Sequence, residues 1–431
     1  MKMQRWLGIL AFSTSLASTA SADPVAATPI PTPPSALGPN VLRAEEILDR
    51  WLRGSVEVAS WRREIGAARF DVISAKVLPN PELMLAGVKL LDGAPPDGNS
   101  GFQAQITQPL PIFGQVGARK RAAEAQVTIA EANLLNQVWE RAGDIQTELV
   151  TTAFAAARIA MYERNLGEIE RIEKIIATRT AAGANSQYDV LRVQSTSSTI
   201  RAAITQATIE RRRSETKLLS FIADPTLGSV SVAKEGLTGF SGPEDETALI
   251  GLALQRRPDL LVARRSATGA RLMADRFRKD AIPTPSVFVQ GYWVQKPYGT
   301  QLTGGVSIPM PVFDRNQGQV GRSVVEAESQ ELLTNALETR VRAEVSGLWR
   351  TRRDAREARD EFRARTLANA AQMISRAEVT YQAGTFSIAE LLDAYRTLWD
   401  ARIQELELDR QSAEAEAELE HASVLLPMPK P

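Results

Sequence analysis

The sequence predicts a mainly helical chain that also contains two short pairs of β-strands and is internally duplicated. Three observations indicate this class. Long stretches of the 431 residues contain no proline and almost no glycine, as very long helices require. Two other stretches alternate apolar and polar residues, which is the pattern of strands with two different faces. Landmarks in the first half of the chain return about 200 residues later.

Residues 1–22 are typical of a cleaved secretory signal peptide. Lys2 and Arg5 precede a short apolar stretch, and Ala20-Ser21-Ala22 supplies the small residues of a cleavage site. The alternative is a membrane anchor, but a spanning helix needs about 20 apolar residues and this stretch is shorter. Residues 23–40 are rich in proline, so we expect an extended leader there.

Composition excludes several functions. The 51 basic and 51 acidic residues give a net charge of zero, without the basic excess that nucleic acid requires. No cysteine is present, which excludes disulfides, thiolate sites and a lipid-modified N-terminal cysteine. The only histidine, His421, is expected to be a solvated surface residue, and it cannot build a multi-histidine metal site. We therefore expect no enzyme, no cofactor and no metal site.

The duplication divides the chain after the leader into two structural repeats, residues 41–240 and 241–426. Three landmarks recur in the same order. Gln108–Phe113 returns as Ile308–Phe313, Pro79–Glu82 as Pro283–Ser286, and Ala182-Gly183 as Ala383-Gly384. Chance placement of proline and glycine would not give such matched spacing.

Each repeat begins with an expected helix, over Leu42–Leu78 and Glu246–Ile282. In the first, Trp51, Val58 and Ile65 are seven residues apart, which is the seam of a helix that packs lengthwise on others. A proline follows each helix and stops it.

A strand pair follows within residues 80–110 and again within 285–312. Phe102, Ala104 and Ile106 alternate with neutral polar residues, which gives one apolar face and one polar face. Such hairpins either pack on helices in a soluble protein or span a membrane at a tilt. Four strands cannot close a barrel alone, so the membrane alternative requires several chains in one sheet.

A very long helical hairpin completes each repeat. Gly117–Thr180 and Gly321–Ala383 contain no proline, and about 60 helical residues make a rod of roughly 90 Å. The chain then turns at Gly183 and at Gly384 and runs back. A rod of this length needs partners along its sides, which indicates an assembly.

With these features the sequence resembles the TolC-type outer-membrane efflux family over about Leu42–Leu425. The residues that carry the resemblance are Asn80–Leu83, Gln108–Leu110, Gly117–Arg119, Arg257–Leu260, Tyr381–Thr385 and Leu391–Ala394. Within the family, the Asn80–Leu83 stretch resembles the branch that serves heavy-metal cation pumps of the resistance-nodulation-division class.

The resemblance implies a homotrimer in the outer membrane. Four strands from each chain would close a twelve-stranded β-barrel, which a long α-helical barrel would continue through the periplasm. The implied function is a passive exit duct for substrates that a periplasmic adaptor and an inner-membrane pump deliver. Outer-membrane lipid would hold the barrel without a lipid anchor. The alternative is a periplasmic adaptor or coiled-coil spacer without pore activity, although an adaptor usually has one hairpin and not two.

The resemblance also implies roles for residues at the turns. Glu390 and Asp393 match positions that ring the periplasmic aperture, where they would favour cations; alternatively, they are an exposed pair that helps to begin a helix. Asp189 and Tyr381 match residues whose hydrogen bond holds the resting tunnel closed. Phe386 stands where a close relative has arginine, so part of that contact is missing.

The turns themselves are expected to contact the adaptor, because they form the exposed tips of the tube. They are also suited to ending and capping helices, and both roles are compatible. The residues are Gly183, Ala184, Ser186, Gly384, Thr385 and Ser387.

Overall fold

The structure, a computed structural model, describes residues 40–42, 44–89, 100–181, 186–222, 230–232, 240–294 and 299–425. The predicted signal peptide (1–22), nearly all of the leader (23–40) and the turn residues Gly183 and Ala184 lie outside the described residues.

The chain is mainly helical and passes twice through the same order of elements. The first pass contains β1 (Asn40–Leu42), α1 (Ala44–Gly54), α2 (Val56–Lys76), β2 (Glu82–Lys89), β3 (Ser100–Pro109), α3 (Gln115–Ala181), α4 (Gln187–Ile222) and β4 (Val230–Val232). The second contains α5 (Glu246–Arg256), α6 (Pro258–Asp280), β5 (Ser286–Val294), β6 (Gly299–Ser307), α7 (Gln317–Phe362), a π-helical turn (Arg363–Leu367), α8 (Ala368–Gln382) and α9 (Ile388–Ala422). The predicted fold class is confirmed.

The single helices expected over Leu42–Leu78 and Glu246–Ile282 are wrong, because each is two helices. The first breaks at Ser55, whose hydroxyl accepts a hydrogen bond of 3.2 Å from the backbone N–H of Glu57 and so caps α2. The second breaks before Pro258, which lies in the first turn of α6, where its missing N–H costs no helical hydrogen bond.

The long helices have the predicted extent. α3 has 67 residues and is therefore about 100 Å long. In the second repeat the equivalent rod is α7, the π-helical turn and α8 in succession. α4 and α9 run back beside these rods, and α2 and α6 pack on α3. The short parallel sheet of β1 and β4 was not predicted.

Four strands form one antiparallel sheet with the order β2-β3-β5-β6. The hairpins of the two repeats meet through β3 and β5, where Thr107 lies opposite Phe288. This pairing leaves β2 and β6 as the two edges of the sheet within one chain.

The core is distributed along the helices. One cluster lies near the turns between α3, α4, α8 and α9 and contains Ile176, Val193, Ile374, Tyr381 and Leu392. Another joins α1 and α4 to the middle of α3 through Trp51, Leu149 and Leu218. Each cluster holds neighbouring helices together at one height along their length.

His421 is packed and not solvated, which corrects the prediction for this residue. Its imidazole stacks on Trp139 of α3 with ring centres 4.3 Å apart and planes inclined by 8°. The indole N–H of Trp139 donates a 3.1 Å hydrogen bond to the carbonyl of His421. A Cβ on Gly143 would lie 2.5 Å from the imidazole, so this interior glycine leaves room for the ring.

The packed histidine predicts sensitivity to acid. Burial first, and the nearby Arg257 second, lower the pKa of His421 from 6.5 to about 4, against the opposing effect of Asp144 and Asp259. The folded pKa of His421 lies below its unfolded value. The stability that the packed, neutral imidazole gives is therefore fully present above pH 6.5 and is lost as the pH falls towards 4. The loss is on the order of 2–3 kcal/mol.

We expect His421→Phe, which keeps an aromatic ring on Trp139, to reduce the acid sensitivity. The fall in the thermal unfolding midpoint between about pH 7 and about pH 4.5 should be smaller in the variant than in the parent. Circular dichroism of the detergent-solubilised protein measures both midpoints. An equal fall in the two proteins would contradict this account.

Candidate functional site

The candidate site lies at the two helical turns, where α3 is followed by α4 and α8 by α9. In the second turn Gly384 has a φ of 77°, a left-handed conformation that favours glycine. The hydroxyl of Thr385 donates a 3.0 Å hydrogen bond to the carbonyl of Thr380. Gly384, Thr385 and Ser387 are exposed and therefore form a structured tip.

Glu390 closes a capping box at the start of α9. Its carboxylate accepts hydrogen bonds from the backbone N–H of Ser387 at 2.7 Å and from the Ser387 hydroxyl at 2.8 Å. The same hydroxyl accepts from the Glu390 N–H at 3.4 Å. These bonds, the backbone one first, lower the pKa of Glu390, so its carboxylate is negative at neutral pH.

Asp393 lies three residues beyond Glu390, is exposed, and makes no ion pair among the described residues. Residues three apart on a helix are neighbours on its surface. The structure therefore brings the two predicted aperture residues together at one helix start, with Glu390 committed to capping and Asp393 open to solvent.

The first turn carries the same capping device. The backbone N–H of Ser186 donates to the Asp189 carboxylate at 3.1 Å, and the Asp189 N–H donates to the Ser186 hydroxyl at 3.3 Å. Ser186 is 201 residues before Ser387, and Asp189 is 201 residues before Glu390. Asp189 is therefore the counterpart of Glu390 in the other repeat, at the same offset as Ala182-Gly183 and Ala383-Gly384.

Tyr381 is 7% exposed, and its hydroxyl is buried without a hydrogen-bond partner in the described chain. The guanidinium of Arg179 lies 5.0 Å from the centre of its ring. The structure does not join Tyr381 to Asp189 by a hydrogen bond within one protomer. Its counterpart, Thr180, also has a buried hydroxyl without a partner.

A polar network behind the turns was missed in the sequence. Trp399 donates through its indole N–H to Glu168 at 2.7 Å, and Arg402 lies 3.0 Å from the same carboxylate. The Tyr395 hydroxyl donates to Glu378, and burial, followed by that carboxylate, raises the pKa of Tyr395. In the sequence, only the four-residue spacing of Tyr395 and Trp399 indicates that two aromatic residues share one face of α9. Glu168, Glu378 and Arg402 do not stand out, because charged residues are common throughout these helices.

A groove of about 460 Å³ runs between α8 and α9 beside the second turn. Its walls combine apolar side chains with charges of both signs. They include Met373, Arg376, Thr380, Phe386, Glu390 and Asp393. Phe386 is 37% exposed, so this groove offers a partner an aromatic surface beside two carboxylates.

The sheet lies at the other end of the rods and presents a second surface. Leu83, Ile106 and Val289 lie side by side on one face, and all three are exposed. In the part of the chain that the structure describes, no helix is long and apolar enough to span a membrane. Within the same residues, no group of three or more His, Asp or Glu could hold a metal ion.

Known proteins share both the sequence and the fold of this chain. The sequence profile of the family "outer membrane efflux protein" matches residues 49–223 and again residues 249–423. The cobalt-zinc-cadmium resistance protein CzcC of Cupriavidus metallidurans is 25% identical over 392 residues, which cover 89% of this chain and 90% of CzcC.

Solved structures of outer-membrane channel proteins have the same fold. CusC is 16% identical with a TM-score of 0.72, and the match covers 92% of this chain and 97% of CusC. VceC of Vibrio cholerae is 16% identical with a TM-score of 0.73, over 88% of this chain and 95% of VceC. The open state of the MtrE channel of Neisseria gonorrhoeae is 16% identical with a TM-score of 0.70, over 88% of both chains.

The two profile matches fall on the two copies of the predicted duplication and together span most of the chain. The family consists of outer-membrane efflux channels and not of enzymes, which confirms the expectation of a protein without catalytic activity. This chain belongs to the outer membrane efflux protein family.

Proposed function

We propose that the protein is the outer-membrane exit duct of a tripartite efflux system, in which three chains form one passive channel. The observation that carries this function is the duplicated family match on a chain whose sheet joins helical rods about 100 Å long. A barrel from the sheet would lie in the membrane, and the rods would cross the periplasm. Energy for export would come from the inner-membrane partner.

The open sheet supports the trimer. Within one chain, β2 and β6 each have one edge without a strand partner, and a membrane leaves no water to satisfy those backbone groups. Pairing β6 of one chain with β2 of the next satisfies both edges. Three chains would then close twelve strands into a barrel, which contacts with outer-membrane lipid would hold in place.

The helical tips are proposed to contact a periplasmic adaptor, which would link the duct to a pump of the resistance-nodulation-division class. The exposed turns and the adjoining groove support this assignment, because they offer backbone, aromatic and charged groups at one end of the rods. The proposed contact residues are Gly183, Ala184, Ser186, Gly384, Thr385 and Ser387.

The similarity to a cobalt-zinc-cadmium resistance protein supports heavy-metal cations as the cargo. The duct would conduct such cations without holding them as ligands, and the pump would choose which compound enters it. Glu390 and Asp393 are proposed to ring the periplasmic aperture, where six carboxylates in a trimer would attract cations and repel anions.

Conductance tests the channel function. Purified protein in planar bilayers should form pores, and the parent protein should remain in the outer-membrane fraction after a high-salt wash. Absence of pores together with release of the protein by salt would contradict the proposal and favour the adaptor or spacer alternative.

Selectivity tests the aperture. Glu390→Gln with Asp393→Asn should lower the cation-to-anion permeability ratio by about two-fold or more, because it removes six charges per trimer. Glutamine can still accept the capping hydrogen bond, so the turn should stay intact. Glu357→Gln, which removes an exposed carboxylate from α7, is the matched control. A reversal potential equal to that of the parent would reject the aperture role.

Basal current tests the closing contact. Asp189→Ala removes the cap on Ser186, and together with Tyr381→Phe it should raise the closed-state conductance by about two-fold or more. Tyr381→Phe alone removes only a hydroxyl that has no partner among the described residues of one chain. An increase in the single variant therefore indicates a bond between protomers, and an unchanged current in the double variant would reject the contact.

A further inference from the structure

The strand register defines two faces of the sheet, because residues directly opposite each other in antiparallel strands point to the same side. One row joins Leu83 to Ile106 and Ile106 to Val289. The neighbouring row joins Glu82 to Thr107 and Thr107 to Phe288. Since successive residues alternate, these two rows lie on opposite faces.

The face of Leu83 is the apolar one. Ten large apolar side chains on β2, β3, β5 and β6 are exposed among those whose exposure the structure describes; nine of these lie on this face and Met84 lies on the other. The nine are Leu83, Leu85, Phe102, Ile106, Val287, Val289, Trp293, Leu302 and Val306. In a membrane barrel this face would contact lipid, so the face of Glu82 would line the lumen.

The face of Glu82 is polar and almost without charge. One row across the sheet contains Gln105, Gln290 and Thr303, and the next contains Gln103, Tyr292 and Gln301. The four strands contain only two residues that are charged at neutral pH, Glu82 and Lys89.

These two charges lie on opposite faces and at opposite ends of β2. Lys89 is an odd-numbered residue of β2 and shares the face of Leu83, at the end away from the helices. Glu82 begins the strand, next to the helical rods. The described lumen-side residues of the strands therefore contain one fixed charge per chain.

The carboxylate of Glu82 is also not neutralised by a neighbouring cation. Two other carboxylates near the junction of sheet and helices are paired: Asp280 lies 2.9 Å from Arg119, and Asp275 lies 2.7 Å from Arg121. Glu82 is exposed and has no basic group within 4.0 Å among the described residues. Its charge therefore acts on the solvent of the lumen.

We propose that Glu82 is a specificity-determining residue of the channel, which favours cations at the inner mouth of the β-barrel. The proposal rests on the trimeric duct of the proposed function, in which three copies of Glu82 form one ring. The other side chains on this face of the strands are neutral, so among the described strand residues the ring is the only fixed charge that faces the lumen. The ring acts on hydrated cations in transit through its field, without holding them as ligands.

Reversal potentials of single channels under a salt gradient test this role. Glu82→Gln should lower the cation-to-anion permeability ratio by about two-fold in about 0.1 M salt, where the Debye length is about 10 Å. The difference should disappear in about 1 M salt, where the Debye length is about 3 Å. Lys89→Gln, a charge removed from the same strand on the opposite face, should leave the ratio unchanged.

Two further measurements separate Glu82 from other effects. The parent and Glu82→Gln are also compared in channels that carry Glu390→Gln and Asp393→Asn. In that background, charge at the aperture cannot hide the effect of Glu82 on the permeability ratio. The double variant Glu82→Thr with Thr107→Glu moves the carboxylate to the directly paired position on the same face and should restore the parental ratio. This variant also tests the charge if Glu82→Gln alone does not assemble.

The outcomes are distinct. The inference is overturned if the channels conduct but their cation-to-anion permeability ratio is the same with glutamate and glutamine at position 82, both in the parent and in the Glu390→Gln, Asp393→Asn background. The proposed exit duct would be unaffected by that result. A ratio lowered equally by Lys89→Gln would overturn it too, because the effect would not depend on the face. A parent protein without pores would instead refute the proposed function.

Discussion

The unpaired backbone at the two edges of the sheet constrains the whole molecule. One chain supplies β2, β3, β5 and β6 and leaves N–H and C=O groups of β2 and β6 without strand partners. Lipid cannot satisfy such groups, so only closure of the sheet makes it compatible with a membrane. The proposed trimer follows from this requirement. Side-by-side packing of the rods then follows as well, because α3 and α7 each follow a strand of the closed sheet after a short connection.

The duplication builds two equivalent turns, but it does not make them chemically equal. Ser186 with Asp189 and Ser387 with Glu390 form the same cap. One turn beyond, the second repeat has Asp393 where the first has Arg192. The caps are thus a shared structural device, and the residues beside them are where the repeats differ in charge.

The strands and long helices could be predicted from sequence because their signals are local. Alternation and bounding prolines placed the two strand pairs within residues 80–110 and 285–312, where the structure has them. The break at Ser55 was missed because the heptad of Trp51 and Val58 continues across it. The break before Pro258 was predictable, since proline interrupts a helix but suits the first turn of a new one. His421 was missed for another reason: its burial depends on Trp139, which is 282 residues away.

The candidate site was only partly predictable. The Ser387 and Glu390 spacing identifies a capping box, and the structure contains it. The buried, unpartnered hydroxyl of Tyr381 depends on how α3, α8 and α9 pack, which no local pattern encodes. The faces of the strands follow from alternation, but pairing across β3 and β5 was needed to show that Glu82 is the one charge on the polar side.

The capping box has a consequence for how such a duct can diverge. Position 390 must keep a side chain that accepts from Ser387, which restricts it to carboxylate or amide groups if the turn is to persist. The side chain at position 393 takes no part in the cap, and its counterpart in the other repeat is a cation, Arg192. The charge at position 393 can therefore change without loss of the cap, whereas a change at position 390 that removes the acceptor would open the turn.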